Sequence, residues 1–403
     1  FKDMEYINLE NTLHAIEHGL TSPTRSQIAK HLSISNTTAS QVASRLIKLR
    51  LIKESGTSLT DKRGRPGIKL EIDPSYWVAV ATAFTSRRFL FVVIDPTGRV
   101  IESNSIRVKD LSLESCLDTL FFGLKQFITK YKKRVLPTIG ISVPGLVNPE
   151  TGVLIDVDDF DWKNVNFGTM VYEKLGLPAL VMNRNWTSGL AEYRFVNKEQ
   201  NLKNFLYIGV GTDIGSAIII DGELLKGENF AAGKLGHVVV DMDGPPCPCG
   251  KRGCLQVMAA QQALITFIRH ELEHIPEQDY SDPFVTAYRE NGGKIDLDII
   301  DGMLQEHSSI AMRGIEHVAK ILATQMGNMI DIFDPEKVLL GGHLVMKFPQ
   351  IKEVVVDTLA ASGAYSERQS LPIDVASLGD MGSAIGAAMC VLDKKLALLL
   401  NGA

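Results

Sequence analysis

A short cysteine-rich string is the sequence feature that most restricts how this chain can fold. Three of its five cysteines lie in Cys247-Pro-Cys249-Gly-Lys-Arg-Gly-Cys254, and His237 stands shortly before them. Thiolate sulfur and imidazole nitrogen are the ligands that tetrahedral zinc prefers, and four of them leave no coordination position for water. The sequence therefore predicts a structural zinc held by His237, Cys247, Cys249 and Cys254. The alternative is that these cysteines are simply small buried side chains.

Length and composition indicate a globular protein of more than one domain. A chain of 403 residues exceeds what one hydrophobic core usually organises, so we expect two or three domains. Its 22% charged and 45% hydrophobic residues are an ordinary globular balance and argue against disorder. The sequence has no apolar run of about 18 residues, no secretory pattern and no disulfide framework. We therefore expect a cytoplasmic protein without membrane insertion.

Charge is unevenly distributed along the chain. The net charge is -5, but residues 1–70 contain eleven Lys/Arg against six Asp/Glu, so they carry +5 and the remainder carries -10. A small basic domain joined to a larger acidic body indicates that only the basic part meets nucleic acid. We take residues 1–72 as this N-terminal domain.

The N-terminal domain has the pattern of a helix-turn-helix. Apolar residues at Ile7, Leu9, Leu13 and Ile16 predict a first helix, and the capping-box spacing from Thr24 to Gln27 predicts the start of a second. A third helix is predicted over about 36–49, with small polar and cationic side chains on its outer face. Such a helix suits the major groove, and Thr37, Ser40 and Gln41 are the candidates for base contacts. The full set of DNA candidates on this helix is Asn36, Thr37, Thr38, Ser40, Gln41, Ser44 and Arg45.

A basic hairpin is predicted to follow the third helix. Residues 51–54 and 68–72 alternate like two strands, and the tip between them contains Arg63 and Arg65 beside glycine and proline. Arg45, Arg63 and Arg65 are therefore expected to contact the phosphate backbone or the minor groove. Helices and hairpin together predict a winged helix-turn-helix that binds double-stranded DNA. For the helices alone, an ordinary helical hairpin with a solvated polar face is the alternative.

Beyond Trp77 the sequence alternates between strand and helix patterns. Such alternation indicates mixed sheets covered by helices. Glycine-rich turns at 209–215 and 339–342 stand where a phosphate-binding ancestor is expected to hold its ligand. The clearest predicted strands are 78–81, 89–94, 138–143, 205–210 and 217–220, and the predicted helices lie around 113–130, 186–195, 258–272 and 310–333.

The chain resembles the ROK family of repressors and sugar kinases. The resemblance rests on the order of Gly64-Arg65-Pro66, Val143-Pro144-Gly145-Leu146-Val147, Gly236-His237, the cysteine string and Gly382-Ser383-Ala384-Ile385-Gly386. It is greatest to the repressor branch, which includes glucose and N-acetylglucosamine regulators. This implies an α/β class: a winged helix-turn-helix, then a two-lobed actin-like, hexokinase-like body with a structural zinc. It also implies a homodimer or homotetramer on a palindromic operator. The expected lobes are 73–183, completed by 380–403, and 184–379.

Departures from the family's kinase pattern indicate that the body is not an enzyme. Family kinases start this body with Asp-x-Gly-Gly-Thr, whereas residues 81–85 read Ala-Thr-Ala-Phe-Thr. Asp213 replaces a glycine of the second phosphate loop and would repel phosphate. Arg184 stands where the kinases have their catalytic Asp, and a guanidinium stays protonated and cannot accept the hydroxyl proton. A sugar kinase fused to a DNA-binding domain remains the enzymatic alternative.

The sugar site implied by the resemblance is also altered. Two glutamates of sugar-binding relatives correspond to Lys234 and Gln256, and the exchanges at Arg184 and Lys234 move the formal charge from -2 to +2. We therefore expect an anionic sugar effector of a carbohydrate-gene repressor. The alternatives are that Arg184 pairs with Asp213 and plugs the pocket, that a neutral sugar binds, or that a docked protein controls the regulator. The candidate effector residues are Gly145, Asn183, Arg184, Lys234, His237 and Gln256.

Overall fold

The N-terminal part consists of three helices and one hairpin. A computed structural model describes residues 2–57, 66–85, 87–157, 162–276, 280–362 and 371–401. A π-helical turn at Ala15–Gly19 extends the first helix. The strands pair antiparallel, with Ile52 opposite Ile72. The elements are α1 (Lys2–His14), α2 (Arg25–His31), α3 (Asn36–Lys48), β1 (Ile52–Thr57) and β2 (Ile68–Ile72).

Local capping explains where the second and third helices begin. The predicted capping box is confirmed: Gln27 donates its backbone N–H to Thr24 Oγ1 at 3.4 Å, and Thr24 donates its N–H to Gln27 Oε1 at 2.8 Å. Ser35 caps α3 by accepting the Thr38 N–H at 3.0 Å. The apolar face of α3 is buried, as its spacing predicts. Of the apolar residues that predicted the first helix, Leu9, Leu13 and Ile16 are buried, whereas the side chain of Ile7 is 45% exposed.

The first lobe is built on a five-stranded sheet with strand order β10-β6-β3-β4-β5. Strand β3 is antiparallel to β4 and parallel to β6. A separate three-stranded meander, β7-β8-β9, follows β6. The elements are β3 (Ala79–Thr85), β4 (Arg88–Ile94), β5 (Val100–Arg107), α4 (Leu113–Lys130), β6 (Ile139–Val143), β7 (Leu146–Asn148), β8 (Val153–Val157), β9 (Trp162–Asn166), α5 (Phe167–Leu175) and β10 (Ala179–Asn183).

The second lobe repeats the strand arrangement of the first, with order β15-β14-β11-β12-β13. Here too a hairpin strand, β11, is antiparallel to its successor and parallel to the strand on its other side. The elements are α6 (Arg184–Gln200), β11 (Phe205–Val210), β12 (Ile214–Ile220), β13 (Glu223–Leu224), α7 (Leu255–Ala259), α8 (Gln261–Glu273), α9 (Pro283–Glu290), α10 (Leu297–Gln305), α11 (Ser309–Phe333), β14 (Lys337–Gly341), α12 (His343–Lys347), α13 (Gln350–Ala361) and β15 (Ile373–Val375). The last two helices, α14 (Gly382–Asp393) and α15 (Lys395–Asn401), return to the first lobe, and α14 packs on its sheet.

The predicted strands and helices of the body are present, with shifted ends. Strand β12 begins at Ile214, so the glycine-rich turn predicted over 209–215 is a tight hairpin connection of three residues, and both ends of the segment belong to strands. Helix α6 begins at Arg184, two residues earlier than predicted, directly after its N-cap Asn183. Among the described residues, none of the helices combines the length and hydrophobicity needed to cross a bilayer.

Small residues bring α14 close to the first sheet and to α6. Ala81 and Ala83 lie on the face of β3 that shares a core with Ala384 and Ala387 of α14. At Gly386 a Cβ would lie 1.9 Å from the Thr187 carbonyl oxygen of α6. Helices α6 and α14 therefore lie in direct backbone contact, and the first turn of α6 is fixed against the first lobe.

Candidate functional site

The predicted metal ligands converge on one point. A 3₁₀ turn at Leu235–His237 presents the histidine, and the cysteine loop folds back so that Cys254 pairs with Val239 in an isolated β-bridge. The loop needs glycine at 253, where φ is +58° and a Cβ would lie 1.5 Å from the Asp241 carbonyl oxygen. One donor atom from each of His237, Cys247, Cys249 and Cys254 lies within 4.8 Å of the others. These four side chains could hold a metal ion.

The cysteines of this cluster need a bound cation when they are ionised. Burial raises the pKa of the Cys247 thiol, and it raises that of Cys254 to about 12. Burial acts in the same direction on Cys249, but hydrogen bonds from the Lys251 backbone N–H and the neighbouring thiols hold its pKa below the usual value. Three thiolates packed this closely are therefore stable only when a cation shares the space.

An open cleft between the lobes collects five of the six predicted effector residues. One wall of it consists of apolar side chains, among them Leu146, Trp186 and Phe230. Asn183 donates its Nδ2–H to the Gly145 carbonyl at 2.7 Å, while its Oδ1 accepts the backbone N–H groups of Asn185 and Trp186. His237 belongs to this wall as well as to the cysteine cluster, so the two sites adjoin. The predicted residues lining it are Gly145, Asn183, Lys234, His237 and Gln256.

Arg184, the sixth predicted effector residue, lines a neighbouring cavity instead. Its guanidinium forms an ion pair with Asp213, and the two side chains are only 17% and 25% exposed. The expected pairing of Arg184 with Asp213 is therefore present, but it leaves the larger cleft open. The prediction that the effector pocket carries a formal charge of +2 is wrong for this cleft. Arg184 lies in the adjacent cavity, where Asp213 balances its charge.

Both glycine-rich segments noted in the sequence, 209–215 and 339–342, contribute residues to the lining of the second cavity. Thr212 and Gly342 are among its lining residues. The ring of His343 packs so tightly on Gly211 that a Cβ there would approach it to 2.8 Å, and its Nε2 lies 2.7 Å from Gln261 Oε1. Burial lowers the pKa of His343 and favours the neutral ring. Sequence reasoning missed this residue, although it directly follows Gly341-Gly342.

The outer face of α3 is open to solvent. Thr38 is half-buried, and its hydroxyl lies 2.8 Å from the Ser35 hydroxyl. The Thr38 hydroxyl is therefore already engaged in a hydrogen bond at the start of α3. Arg63 and Arg65, predicted at the hairpin tip, lie outside the described residues. The remaining predicted DNA-contact residues are exposed along one helix: Asn36, Thr37, Ser40, Gln41, Ser44 and Arg45.

Comparison with known proteins identifies the family. The ROK family profile matches residues 86–394. This chain belongs to the ROK family. The xylose repressor of Caldicellulosiruptor bescii is 25% identical over 378 residues, which cover 92% of this chain and 92% of that protein. Coverage of 92% of the chain means that the similarity extends beyond the matched ROK profile into the N-terminal domain of this ROK protein.

Solved structures show the same fold. The crystal structure of a ROK family transcriptional regulator, a homologue of the Escherichia coli Mlc protein, covers 99% of this chain and 98% of its own, with a TM-score of 0.83 and 23% identity. A ROK family glucokinase from Streptomyces griseus, crystallised with glucose and AMPPNP, covers 78% of this chain and 98% of its own, with a TM-score of 0.63 and 20% identity. The expected actin-like α/β body is confirmed.

Proposed function

We propose that this ROK protein is a sequence-specific DNA-binding repressor of carbohydrate-related genes that acts in the cytoplasm. The observation that carries the proposal is the exposed polar face of α3, in a chain that a named xylose repressor matches over 92% of both lengths. Helices α2 and α3 with the β1–β2 hairpin would form a winged helix-turn-helix. A homodimer or homotetramer would set the spacing of two such domains on a palindromic operator.

Base contacts are assigned to the N-terminal half of α3. Thr37, Ser40 and Gln41 are exposed on that helix and would meet base edges, while Arg45 would hold the phosphate backbone. Arg63 and Arg65 at the hairpin tip are proposed to contact the backbone or the minor groove.

Selection of duplexes from a random-sequence library by the purified protein tests this proposal. We expect a palindromic consensus, and we expect Gln41→Ala to bind it about 5- to 150-fold more weakly, with relaxed preference at one base position. Gln262→Ala, an exposed glutamine of α8 in the second lobe, is the matched control and should bind like the wild type. Recovery of no consensus by the wild-type protein would reject the proposed function.

Zinc is the metal proposed for the cysteine cluster. The Cys249 Sγ to Cys254 Sγ distance is 3.7 Å, as is that from Cys247 Sγ to His237 Nδ1. A tetrahedral site with zinc–sulfur bonds of about 2.3 Å requires separations of about 3.8 Å between ligand sulfurs. The residues therefore fit the ion. Its role would be structural: it would fix the loop that carries His237 into the wall of the cleft.

The cleft is proposed to bind a sugar-type effector. Because Arg184 is paired with Asp213, Lys234 is the cation that an anionic sugar would use, whereas a neutral sugar would not need it. Calorimetry with D-xylose and D-xylonate, on wild type and on Lys234→Met, separates the two classes. Tighter binding of xylonate that disappears in the variant supports the anionic effector; tighter binding of D-xylose in both proteins contradicts it.

A sugar kinase is the second candidate function, because a ROK glucokinase shares the fold of the body. Arg184 argues against kinase activity, because it stands where family kinases have their catalytic base and because it is paired with Asp213. We expect no ATP-dependent phosphorylation of glucose or xylose by the purified protein. Product formation above that of a heat-inactivated sample would restore the kinase hypothesis.

A further inference from the structure

The first lobe carries a basic run next to the N-terminal domain. Lys130-Tyr131-Lys132-Lys133-Arg134 places four cations within five residues at the end of α4, although the chain beyond residue 70 has a net charge of -10. Cations near the C-terminus of a helix interact favourably with its dipole, which accounts for some positive charge here. The individual contacts show which of the four cations the fold uses.

Two of these cations have structural partners within the protein. Lys130 Nζ lies 2.7 Å from a Glu102 carboxylate oxygen, and Arg134 donates its Nε–H to the Tyr76 carbonyl at 2.7 Å. Lys132 and Lys133 are exposed, and neither forms an ion pair within the described part of the chain. Their charges therefore remain available to a partner outside the molecule.

A short series of contacts joins this turn to the end of α3. The Trp77 indole N–H donates to the carbonyl of Leu49, the C-cap of α3, at 2.8 Å. The adjacent Tyr76 ring is covered by the Arg50 guanidinium at 4.2 Å. Tyr76 in turn accepts the hydrogen bond from Arg134, next to Lys133. These contacts place the turn beside the C-terminal end of α3.

We infer that Lys132 and Lys133 form a second DNA-contacting surface, which holds the phosphate backbone beside the segment that α3 reads. The inference rests on the proposed DNA-binding function. Duplex DNA carries closely spaced phosphates, and exposed lysines act on them as point charges without reading sequence. The basic run contacts one acidic side chain, Glu102, whose charge is balanced by Lys130. The body thus contributes to affinity, while α3 contributes to specificity.

The test compares two double variants on two duplexes. Lys132→Gln/Lys133→Gln removes the proposed surface; Lys109→Gln/Lys203→Gln removes two exposed lysines elsewhere on the body. Each protein is titrated over a range of salt against the consensus duplex recovered by selection, once without flanks and once with about 10 added base pairs on each side. On the flanked duplex, we expect the slope of log K against log salt to decrease by about 1.8 per bound subunit in the first variant alone.

The unflanked duplex distinguishes a loss of outer phosphate contacts from damage to the core site or to the fold. Both double variants should bind it like the wild type, because the outer phosphates are missing, and both should unfold at the wild-type temperature. Equal salt slopes for the two variants on the flanked duplex would overturn the inference. So would an equal loss by the first variant on both duplexes, because it would mean an effect on the core site or the fold. Failure of the selection itself would instead reject the proposed function.

Discussion

At the residue scale, Cys254 is the most demanding member of the metal cluster. Its side chain is fully buried and its pKa is raised to about 12, so without an ion its sulfur is a neutral thiol among other thiols. We expect Cys254→Ser to lower bound zinc from one ion per chain to none and to lower the unfolding temperature, because metal binding and folding of the loop are linked. Atomic emission spectrometry and a thermal melt of the same sample measure both effects.

Cys390 provides the matched control for that prediction. It is also a buried thiol, and burial raises its pKa to about 11, but it lies in α14 outside the cluster. Cys390→Ser should keep one zinc per chain and change stability only through packing. Full zinc content in Cys254→Ser, or equal zinc loss in both variants, would contradict the proposed metal site.

Single residues also show why sequence reasoning placed the cleft well but misplaced one side chain. Gly145, Asn183 and His237 were predicted together, and they line one cleft. Asn183 and Arg184 are consecutive, yet they line different cavities, because Asn183 is the N-cap with an extended backbone and Arg184 is the first residue of α6. Asn is a favoured N-cap residue, so the sequence contains a signal for this start, which the predicted helix boundary at residue 186 did not use.

At the element scale, the crossing of α6 and α14 determines how the two lobes meet. Gly386 has no room for a side chain, since a Cβ there would lie 1.9 Å from the Thr187 carbonyl oxygen. We expect Gly386→Ala to push the helices apart and to lower the free energy of unfolding by about 1–3 kcal/mol, as overpacking usually does. Gly382→Ala, on the same helix with its nearest atom at 3.4 Å, should cost less. Urea unfolding monitored by tryptophan fluorescence compares the two; equal stability would show that the crossing adjusts freely.

Some elements with strong local signals were predicted from sequence, whereas others, such as the capped helix α10, and elements with weak signals were missed. Helix α3 has a cap, a buried stripe and a polar face, and strand β11 is buried along its whole length. Strand β5 has mostly exposed side chains, and β15 has three residues, so neither shows a clear period. Residue patterns also do not reveal the matching strand orders of the two lobes, because strand order is a property of pairing between distant segments.

At the scale of the whole molecule, the N-terminal domain is held to the body at two places. The linker contributes the hydrogen bond from Trp77 to Leu49, and the last helix contributes an ion pair between Lys395 and Glu17. Leu396 and Leu399 of α15 share a hydrophobic core with Leu9 and Leu13 of α1. Such attachment fixes the orientation of the domain, which is what two domains on one palindromic duplex require.

The Lys395–Glu17 pair tests whether this orientation matters for DNA binding. The two side chains are 6% and 18% exposed and their charged atoms lie 2.7 Å apart, so removing one charge leaves the other poorly solvated. We expect Lys395→Met to weaken binding to a palindromic duplex at least tenfold but to change binding to a single half-site little, because only the palindrome needs both domains at a fixed spacing. Lys394→Met, its exposed neighbour, should bind both duplexes like the wild type. An equal loss on palindrome and half-site would mean that the ion pair supports the fold of the N-terminal domain and does not set its orientation.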